Sequence, residues 1–178
     1  MQLIKVTEEK QIPSFYYNTP IWELISYQNL GAEFKSYTSA QLLVGMCMDN
    51  RKQLRIPENF AYIIRTGGAN LRYSEFKVSY AIAIGGVKHI ALIAHDNCGM
   101  VNLVSKREQF IEGLCQNANW SRQRAEEHFV NYAPLFEIDN ELEFVLNESK
   151  RLSQKYTGIK VAPLIYSIED NMLNVILE

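Results

Sequence analysis

The sequence has 178 residues, of which 47% are hydrophobic and 21% are charged, as is typical of one globular domain with a core. Lys and Arg number 18 against 20 Asp and Glu, which argues against a protein that holds nucleic acid through a basic surface. No apolar stretch reaches the roughly 20 residues that span a bilayer, and the N-terminus lacks the apolar segment of a signal peptide. We therefore expect a single-domain cytoplasmic protein that binds neither nucleic acid nor membrane.

Residues 1–37 precede the main pattern and are expected to form an arm followed by a helix. Thr19 is a suitable N-cap, Pro20 suits the first helical position, and Gly31 can end the helix. An arm of this kind often packs on a partner subunit, and we expect it to do so here, although packing on its own domain is equally permitted.

Three short apolar runs follow, as expected for strands that are buried on both faces. A helical stretch at 74–84 separates the second from the third, which indicates a parallel crossover. Later segments predict three helices and a C-terminal pair of extended segments. Ser105 and Glu108 form a capping-box signature for the first of these helices. The apolar runs lie at 41–46, 61–64 and 87–94, the last two helices at 121–132 and 139–156, and the extended pair at 159–168 and 172–177.

This element order predicts an α/β fold. We expect a central, mostly parallel β-sheet flanked by helices, with a C-terminal antiparallel edge strand and the N-terminal helical arm. In such sheets, ligands bind beyond the carboxyl ends of the strands. The residues that follow the three apolar runs should therefore meet at one edge of the sheet. These segments are residues 47–51, 65–70 and 95–100.

Cysteine and histidine side chains lie in two of these segments. Three cysteines are too few for a disulfide scaffold, and in a reducing compartment such thiols are buried, metal-bound or catalytic. Cys47, His95 and Cys98 together form a three-ligand zinc set, with a fourth position left open for water. Cys115 shares the apolar face of a predicted helix with Leu114 and is expected to fill the core. A lone cysteine in an apolar strand is usually a core residue, but two motifs after two different strands favour zinc.

The two motifs resemble those of a known family. Cys-Met-Asp-Asn-Arg at 47–51 and His-Asp-Asn-Cys-Gly at 95–99 match the signatures of β-class carbonic anhydrases. Arg-Thr-Gly-Gly at 65–68 is similar to the Arg-Asn-Ala-Gly segment between them, and the resemblance extends from about residue 42 to 177. The short chain looks most like the compact bacterial and archaeal branch.

The resemblance implies a function and a role for each matched residue. Cys47, His95 and Cys98 would bind zinc, which lowers the pKa of a bound water and provides a hydroxide that converts CO2 to bicarbonate. Asp49 would accept a hydrogen bond from that hydroxide and orient it, and Arg51 would hold Asp49 in a charge-assisted pair. An Asp–Arg pair by itself is more often a surface salt bridge. The family also implies a homodimer or a dimer-based oligomer, with the N-terminal helix embracing the partner.

The sequence departs from the family at several positions. Thr66 and Gly67 replace the usual Asn and Ala, and the segment between Arg51 and Arg65 is shorter than expected. The short segment motivates one alternative, a non-catalytic zinc-binding regulatory module of the same fold. A second alternative is a hydrolase of COS or CS2 on the same zinc site, since zinc hydroxide would also attack these linear analogues of CO2. We expect His128 to be a packed or boundary residue and not a proton shuttle.

Overall fold

Six strands form one mixed sheet in the computed structural model, which describes residues 1–177. Four neighbouring strands run parallel, and the C-terminal strand β6 is antiparallel to β5. The predicted α/β fold, mostly parallel with an antiparallel C-terminal strand, is confirmed. The order across the sheet is β1-β6-β5-β4-β2-β3. The strands are β1 Gln2–Lys5, β2 Leu42–Cys47, β3 Ala61–Thr66, β4 His89–His95, β5 Lys160–Tyr166 and β6 Leu173–Leu177.

Five α-helices flank the sheet or extend from it: α1 Pro20–Asn29, α2 Glu75–Ala83, α3 Arg107–Ala118, α4 Arg122–Phe136 and α5 Glu141–Lys155. Thr19 caps α1 as predicted, since its hydroxyl accepts the N–H of Trp22 at 3.4 Å. The predicted capping box at Ser105 is wrong. The Ser105 hydroxyl donates to the carbonyl of Asn102 at 2.7 Å, and a short 3-10 turn occupies Leu103–Lys106 before α3 begins.

The core has one layer on each face of the sheet, because side chains alternate along a strand. Strands β2 and β4 are almost entirely buried, which explains their continuous apolar sequences. Helix α1 packs on one face, and α2 and α5 pack on the other. Gly45 in β2 permits this packing, because a Cβ there would lie 2.7 Å from Cδ1 of Leu71.

The N-terminal arm packs on its own chain in this structure. Ile21, Leu24 and Ile25 of α1 are fully buried in the core, and β1 pairs antiparallel with β6. Strand β1 was not predicted, and it extends the sheet beyond β6. Contact between the arm and a partner subunit stays a prediction.

Helices α3 and α4 form a pair that stands beside the sheet layers. Ile111 is the buried residue of α3, and Cys115 on the same helix is only half-buried. The prediction that Cys115 fills the core is therefore wrong, because α3 packs along α4 and not on the sheet. None of the helices formed by residues 1–177 is long and apolar enough to cross a membrane.

The strand order brings the two predicted ligand segments together. Strand β2 lies directly beside β4, with Met46 paired to Ile93. Cys47 at the end of β2 is therefore level with Ala94, one residue before His95 at the end of β4. Both segments leave the sheet at the same carboxyl edge, where ligands of α/β proteins bind.

Candidate metal centre

Three potential metal ligands lie together in the interior at this edge. The ligand atoms of Cys47, His95 and Cys98 are all within 4.8 Å of one another, and each residue is at most 5% exposed. The two sulfur atoms are 3.9 Å apart. Two thiolates on one tetrahedral zinc ion, each with a bond of about 2.3 Å, lie roughly 3.8 Å apart. The spacing and the mixture of thiolate and imidazole therefore fit zinc.

The imidazole of His95 is oriented for metal binding by its neighbour. Its Nδ1 lies 2.8 Å from the carbonyl oxygen of Asp96, so Nδ1 carries the proton and donates it to that oxygen. Its Nε2 is buried without a hydrogen-bond partner among the described residues. A buried polar atom left without a partner is costly, and a lone pair directed at a metal ion would satisfy it.

The two thiols share a proton across their contact. The hydrogen bond from the Cys98 thiol lowers the pKa of Cys47, and the same contact raises the pKa of Cys98. The contact therefore favours a thiolate at Cys47 and disfavours one at Cys98. A divalent ion that replaces the shared proton would release Cys98 as a second thiolate ligand.

Asp49 and Arg51 form a close ion pair beside the three ligands. The Arg51 guanidinium donates to Asp49 from Nε at 3.0 Å and from Nη2 at 2.6 Å, and the Arg51 backbone N–H donates at 2.9 Å. These hydrogen bonds hold the pKa of the Asp49 carboxyl below its usual range. Its Oδ2 lies 3.9 Å from Nε2 of His95, so an ionised carboxylate faces the ligands. Arg51 also donates to the carbonyl of Asn97 at 3.0 Å and thereby joins the two motif loops.

Arg65 at the end of β3 holds the loop that follows Cys47. Its guanidinium donates to the carbonyl oxygens of Cys47 at 3.3 Å, Asp49 at 3.4 Å and Lys52 at 3.1 Å. In the sequence, Arg65 was notable only through the resemblance of the 65–68 segment. Its structural role is to fix the backbone on which Cys47 and Asp49 are carried.

Two further polar residues at the centre were missed by the sequence reasoning. Lys52 is 1% exposed and donates to the carbonyl of Cys47 at 3.3 Å, and burial lowers the pKa of its ammonium to about 8. The carboxylate of Glu141, at the start of α5, accepts the backbone N–H of Cys98 at 3.0 Å. Nothing in the local sequence of either residue distinguishes it from an ordinary surface charge.

A half-open apolar cavity of about 390 Å³ lies beside the metal centre, between the motif loops and the helix pair α3 and α4. Met100 connects the two, because it packs against the cluster of Cys47 and Cys98 and also lines the cavity. His128 lines the cavity as a packed residue, with its ring 4.6 Å from that of Tyr132. The lining residues are Met48, Gly67, Met100, Leu103, Phe110, His128, Phe129, Tyr132, Ala133 and Phe136.

No protein-family model and no curated protein matches the sequence. Solved structures do match the fold. A carbonic anhydrase from Glaciozyma antarctica superposes with a TM-score of 0.61 at 17% identity, over 91% of this chain and 98% of that one. A β-carbonic anhydrase from Trichomonas vaginalis gives 0.57 at 17% identity, over 88% and 97%. A carbon disulfide hydrolase in its apo form gives 0.55 at 19% identity, over 90% and 89%. The chain therefore has the β-carbonic anhydrase fold.

Proposed function

We propose that the chain belongs to the β-carbonic anhydrase family, in its compact bacterial and archaeal branch, and catalyses the zinc-dependent, reversible hydration of CO2 to bicarbonate. The observation that carries this proposal is the buried set of Cys47, His95 and Cys98, with Nε2 of His95 unpartnered and Asp49 held beside it by Arg51. The similarity of fold supports the proposal. A cytoplasmic location is part of it, because these thiols must stay reduced.

Each residue of the centre has a defined task in this reaction. Cys47, His95 and Cys98 would hold the zinc ion, which when bound would supply a hydroxide nucleophile near neutral pH by lowering the pKa of water to roughly 7. Asp49 stays ionised, so it accepts a hydrogen bond from the nucleophile and orients it toward the carbon of CO2. Arg51 holds the Asp49 carboxylate by hydrogen bonds from Nε and Nη2, which would keep that carboxylate from moving onto a bound metal.

Stopped-flow measurement of CO2 hydration by the zinc-loaded protein tests the activity. We expect turnover well above the uncatalysed rate, and a loss of roughly 100-fold or more in Asp49→Asn, because the amide cannot accept and orient the nucleophile as the carboxylate does. The exposed Asp139→Asn variant is the matched control and should keep full activity. If CO2 hydration proceeds only at the uncatalysed rate with one zinc bound per chain, the proposed enzymatic activity is contradicted. The non-catalytic zinc-binding module then becomes the supported alternative.

Metal analysis tests the ligand set separately from catalysis. The purified protein should contain about one zinc per chain, and Cys47→Ser and Cys98→Ser should lose most of it because a hydroxyl is a poor ligand for zinc. Cys115→Ser, which changes the half-buried cysteine of α3, is the control and should keep its zinc. Unchanged zinc in both ligand variants would refute the site.

Hydrolysis of COS or CS2 is the second candidate activity, and the apolar cavity beside the centre favours it. These linear molecules have an electrophilic central carbon like that of CO2. Water solvates them less well than CO2, so an apolar route to the metal centre favours their binding. Parallel assays with CO2, COS and CS2 on one zinc-loaded preparation distinguish the activities by their kcat/KM values.

We also propose that the protein is a homodimer through the β3 edge of the sheet. Strand β3 ends the sheet of residues 1–177, and Ile63 on this strand is 46% exposed. Phe76 and Ile84, which are 83% and 71% exposed, extend the apolar surface onto the region of α2. An apolar edge of this kind is a site for pairing with another chain.

Light scattering on the protein as it elutes from a size-exclusion column, at micromolar concentration, should give twice the mass of the chain. Phe76→Lys should shift it toward the monomer, whereas Lys77→Met, a change at the adjacent exposed position, should not. A monomeric wild-type protein at that concentration would contradict the dimer.

A further inference from the structure

The cavity beside the metal centre is far larger than CO2 requires. Its volume is about 390 Å³, whereas an apolar cavity of about 150 Å³ is large enough to bind benzene. Small-molecule sites generally occupy roughly 300–1,000 Å³ and are lined mainly by apolar and aromatic side chains. The space therefore fits an organic group that contains a ring.

The lining determines the chemistry of that group. Phe110, Phe129 and Phe136 supply aromatic walls, and none of the lining residues that the structure describes carries a carboxylate, an ammonium or a guanidinium. The imidazole of His128 lies between other rings, stacked on Phe110 with their centroids 6.2 Å apart. A charged group would lose its hydration here without gaining an ion-pair partner. The cavity therefore favours a neutral, apolar occupant.

Gly67 helps to keep the cavity open on the side of the metal centre. A Cβ at this position would lie 3.0 Å from Sδ of Met100 and 3.4 Å from Cδ1 of Phe136. An alanine here would therefore displace the side chain of Met100 or Phe136. Alanine is the usual residue at this position in the family that the sequence resembles. The glycine at position 67 therefore preserves the present positions of Met100 and Phe136, and with them the space of the cavity.

The cavity also borders the metal centre. Met100 packs on the cluster that contains Cys47 and Cys98 and forms part of the cavity wall. Met48, directly after Cys47, lines the cavity as well. Both side chains are unbranched and adaptable, so when they move aside, a molecule whose reactive carbon is at the metal centre can place an attached apolar group in the cavity.

We infer that the cavity is a subsite for an apolar substituent, so that the protein hydrolyses organic heterocumulenes of the isothiocyanate class, R–N=C=S, with R in the cavity. This rests on the proposed function, because the central carbon of R–N=C=S is an electrophile of the same kind as that of CO2. Water adds across the C=N bond: its oxygen bonds to the central carbon, and the C–N π pair takes a proton at nitrogen. The resulting thiocarbamic acid, R–NH–C(=S)–OH, transfers its O–H proton to nitrogen as the C–N bond breaks. The products are R–NH2 and COS.

The first test compares benzyl with methyl isothiocyanate in a Cys115→Ser background, since the half-buried thiol of Cys115 would otherwise react with either compound. After correction for uncatalysed hydrolysis, the zinc-loaded protein should favour the benzyl compound in kcat/KM by roughly tenfold or more. Ala133→Leu and Gly67→Ala, which narrow the cavity, should reduce this ratio toward one. Val130→Leu on the exposed side of α4 and Gly158→Ala, where a Cβ meets nothing within 4 Å, should keep it.

Equal values for the two compounds, or a ratio that survives both cavity variants, overturns the inference. If the zinc-loaded wild type turns over none of the substrates, CO2 included, the proposed function is contradicted instead. A binding experiment then tests the subsite separately. In protein with ¹³C-labelled methionine methyl groups, toluene should shift the Met100 signal saturably in the wild type and not in Ala133→Leu.

The Met1 signal is the internal control of this binding experiment and should not move. A Met100 signal that toluene leaves unchanged overturns the subsite. If the Met100 methyl group of the ligand-free protein shows magnetisation transfer from protons of a second copy, the cavity lies in a subunit interface. That result also overturns the subsite.

Discussion

The buried charge of Lys52 should lower the free energy of unfolding by an amount that can be measured. Its side chain is almost fully buried, and its ammonium donates one hydrogen bond, at 3.3 Å, to the carbonyl of Cys47. Among the described residues, no carboxylate lies within salt-bridge distance of this ammonium. A buried ammonium without a close partner destabilises the folded state. Replacement by methionine, which is apolar and of similar length, should therefore stabilise the metal-free protein.

The magnitude follows from the ionisation of Lys52. Burial lowers the pKa of its ammonium from the usual 10.5 to about 8, which corresponds to a destabilisation of about 3 kcal/mol at neutral pH. Lys52→Met also loses the hydrogen bond to Cys47, at a cost of about 1 kcal/mol or less, because Arg65 donates to the same carbonyl. The net expectation is a gain of roughly 2 kcal/mol, or about 4–8 °C in Tm for a chain of this size.

The effect should depend on pH with a defined sign. Below pH 8 the ammonium is protonated in both the folded and the unfolded chain, so the whole penalty is present. Between about pH 8 and 10.5 the folded chain has lost the proton and the unfolded chain still binds it. The wild type therefore becomes more stable relative to the variant as pH rises through this window. At the upper end of the window the charge penalty is gone, so the variant should have lost its advantage and be equal to the wild type or less stable by up to about 1 kcal/mol, the value of the lost hydrogen bond.

Urea unfolding of reduced, metal-free protein at pH 7, 8.5 and 10 measures this difference. Lys88→Met, at an exposed lysine, is the matched control and should change the free energy of unfolding by less than about 0.5 kcal/mol. The reasoning is refuted by a Lys52→Met variant that is less stable than the wild type at pH 7. A stability difference that stays constant from pH 7 to 10 refutes it as well.

Two further predictions concern the support of the metal centre and of the β3 edge. Glu141→Gln weakens the carboxylate contact to the backbone N–H of Cys98, so chelator competition should show zinc loss about 10- to 100-fold faster; an unchanged rate would contradict this role. Gly85→Ala places a Cβ against the Tyr62 ring and 2.6 Å from the carbonyl of Ala81, which should cost roughly 1–3 kcal/mol in urea unfolding. A cost equal to that of Gly158→Ala, where the added Cβ is free, would show that the contact relaxes easily.

The sheet and the ligand set were predictable because both depend on strong, regular signals. Strands buried on both faces must be apolar throughout, so β2 and β4 could be recognised from composition. Parallel strands end at one edge, so Cys47 and His95 could be placed together without any knowledge of distances. The geometry that then joins Asp49 to Arg51 is local, since the two residues are only two positions apart.

The residues that escaped prediction depend on contacts that are distant along the chain. Lys52 follows Asn50 and Arg51 in a polar segment, and its burial results from the way Arg65, thirteen positions later, holds that loop. The half-buried state of Cys115 could not be foreseen either, because an apolar helical face does not reveal whether it meets the sheet or another helix. Strand β1 has only four residues of mixed polarity and owes its form to β6.

Two features that cost stability lie near the metal centre, which supports a working site there. Lys52 is buried there, and none of residues 1–177 places a carboxylate within salt-bridge distance of it. Ala69, which is fully buried beyond the end of β3, has a φ of +62°, a left-handed conformation that costs roughly 1–2 kcal/mol for a residue with a side chain. Strain of this kind persists only where the surrounding structure holds it in place, and it concentrates at functional sites. A bound metal would stabilise the folded state through the ligands that these features position. The strands that carry Cys47 and His95 are buried by the apolar core itself, so we expect the metal-free chain to fold and to present the three ligands already close together.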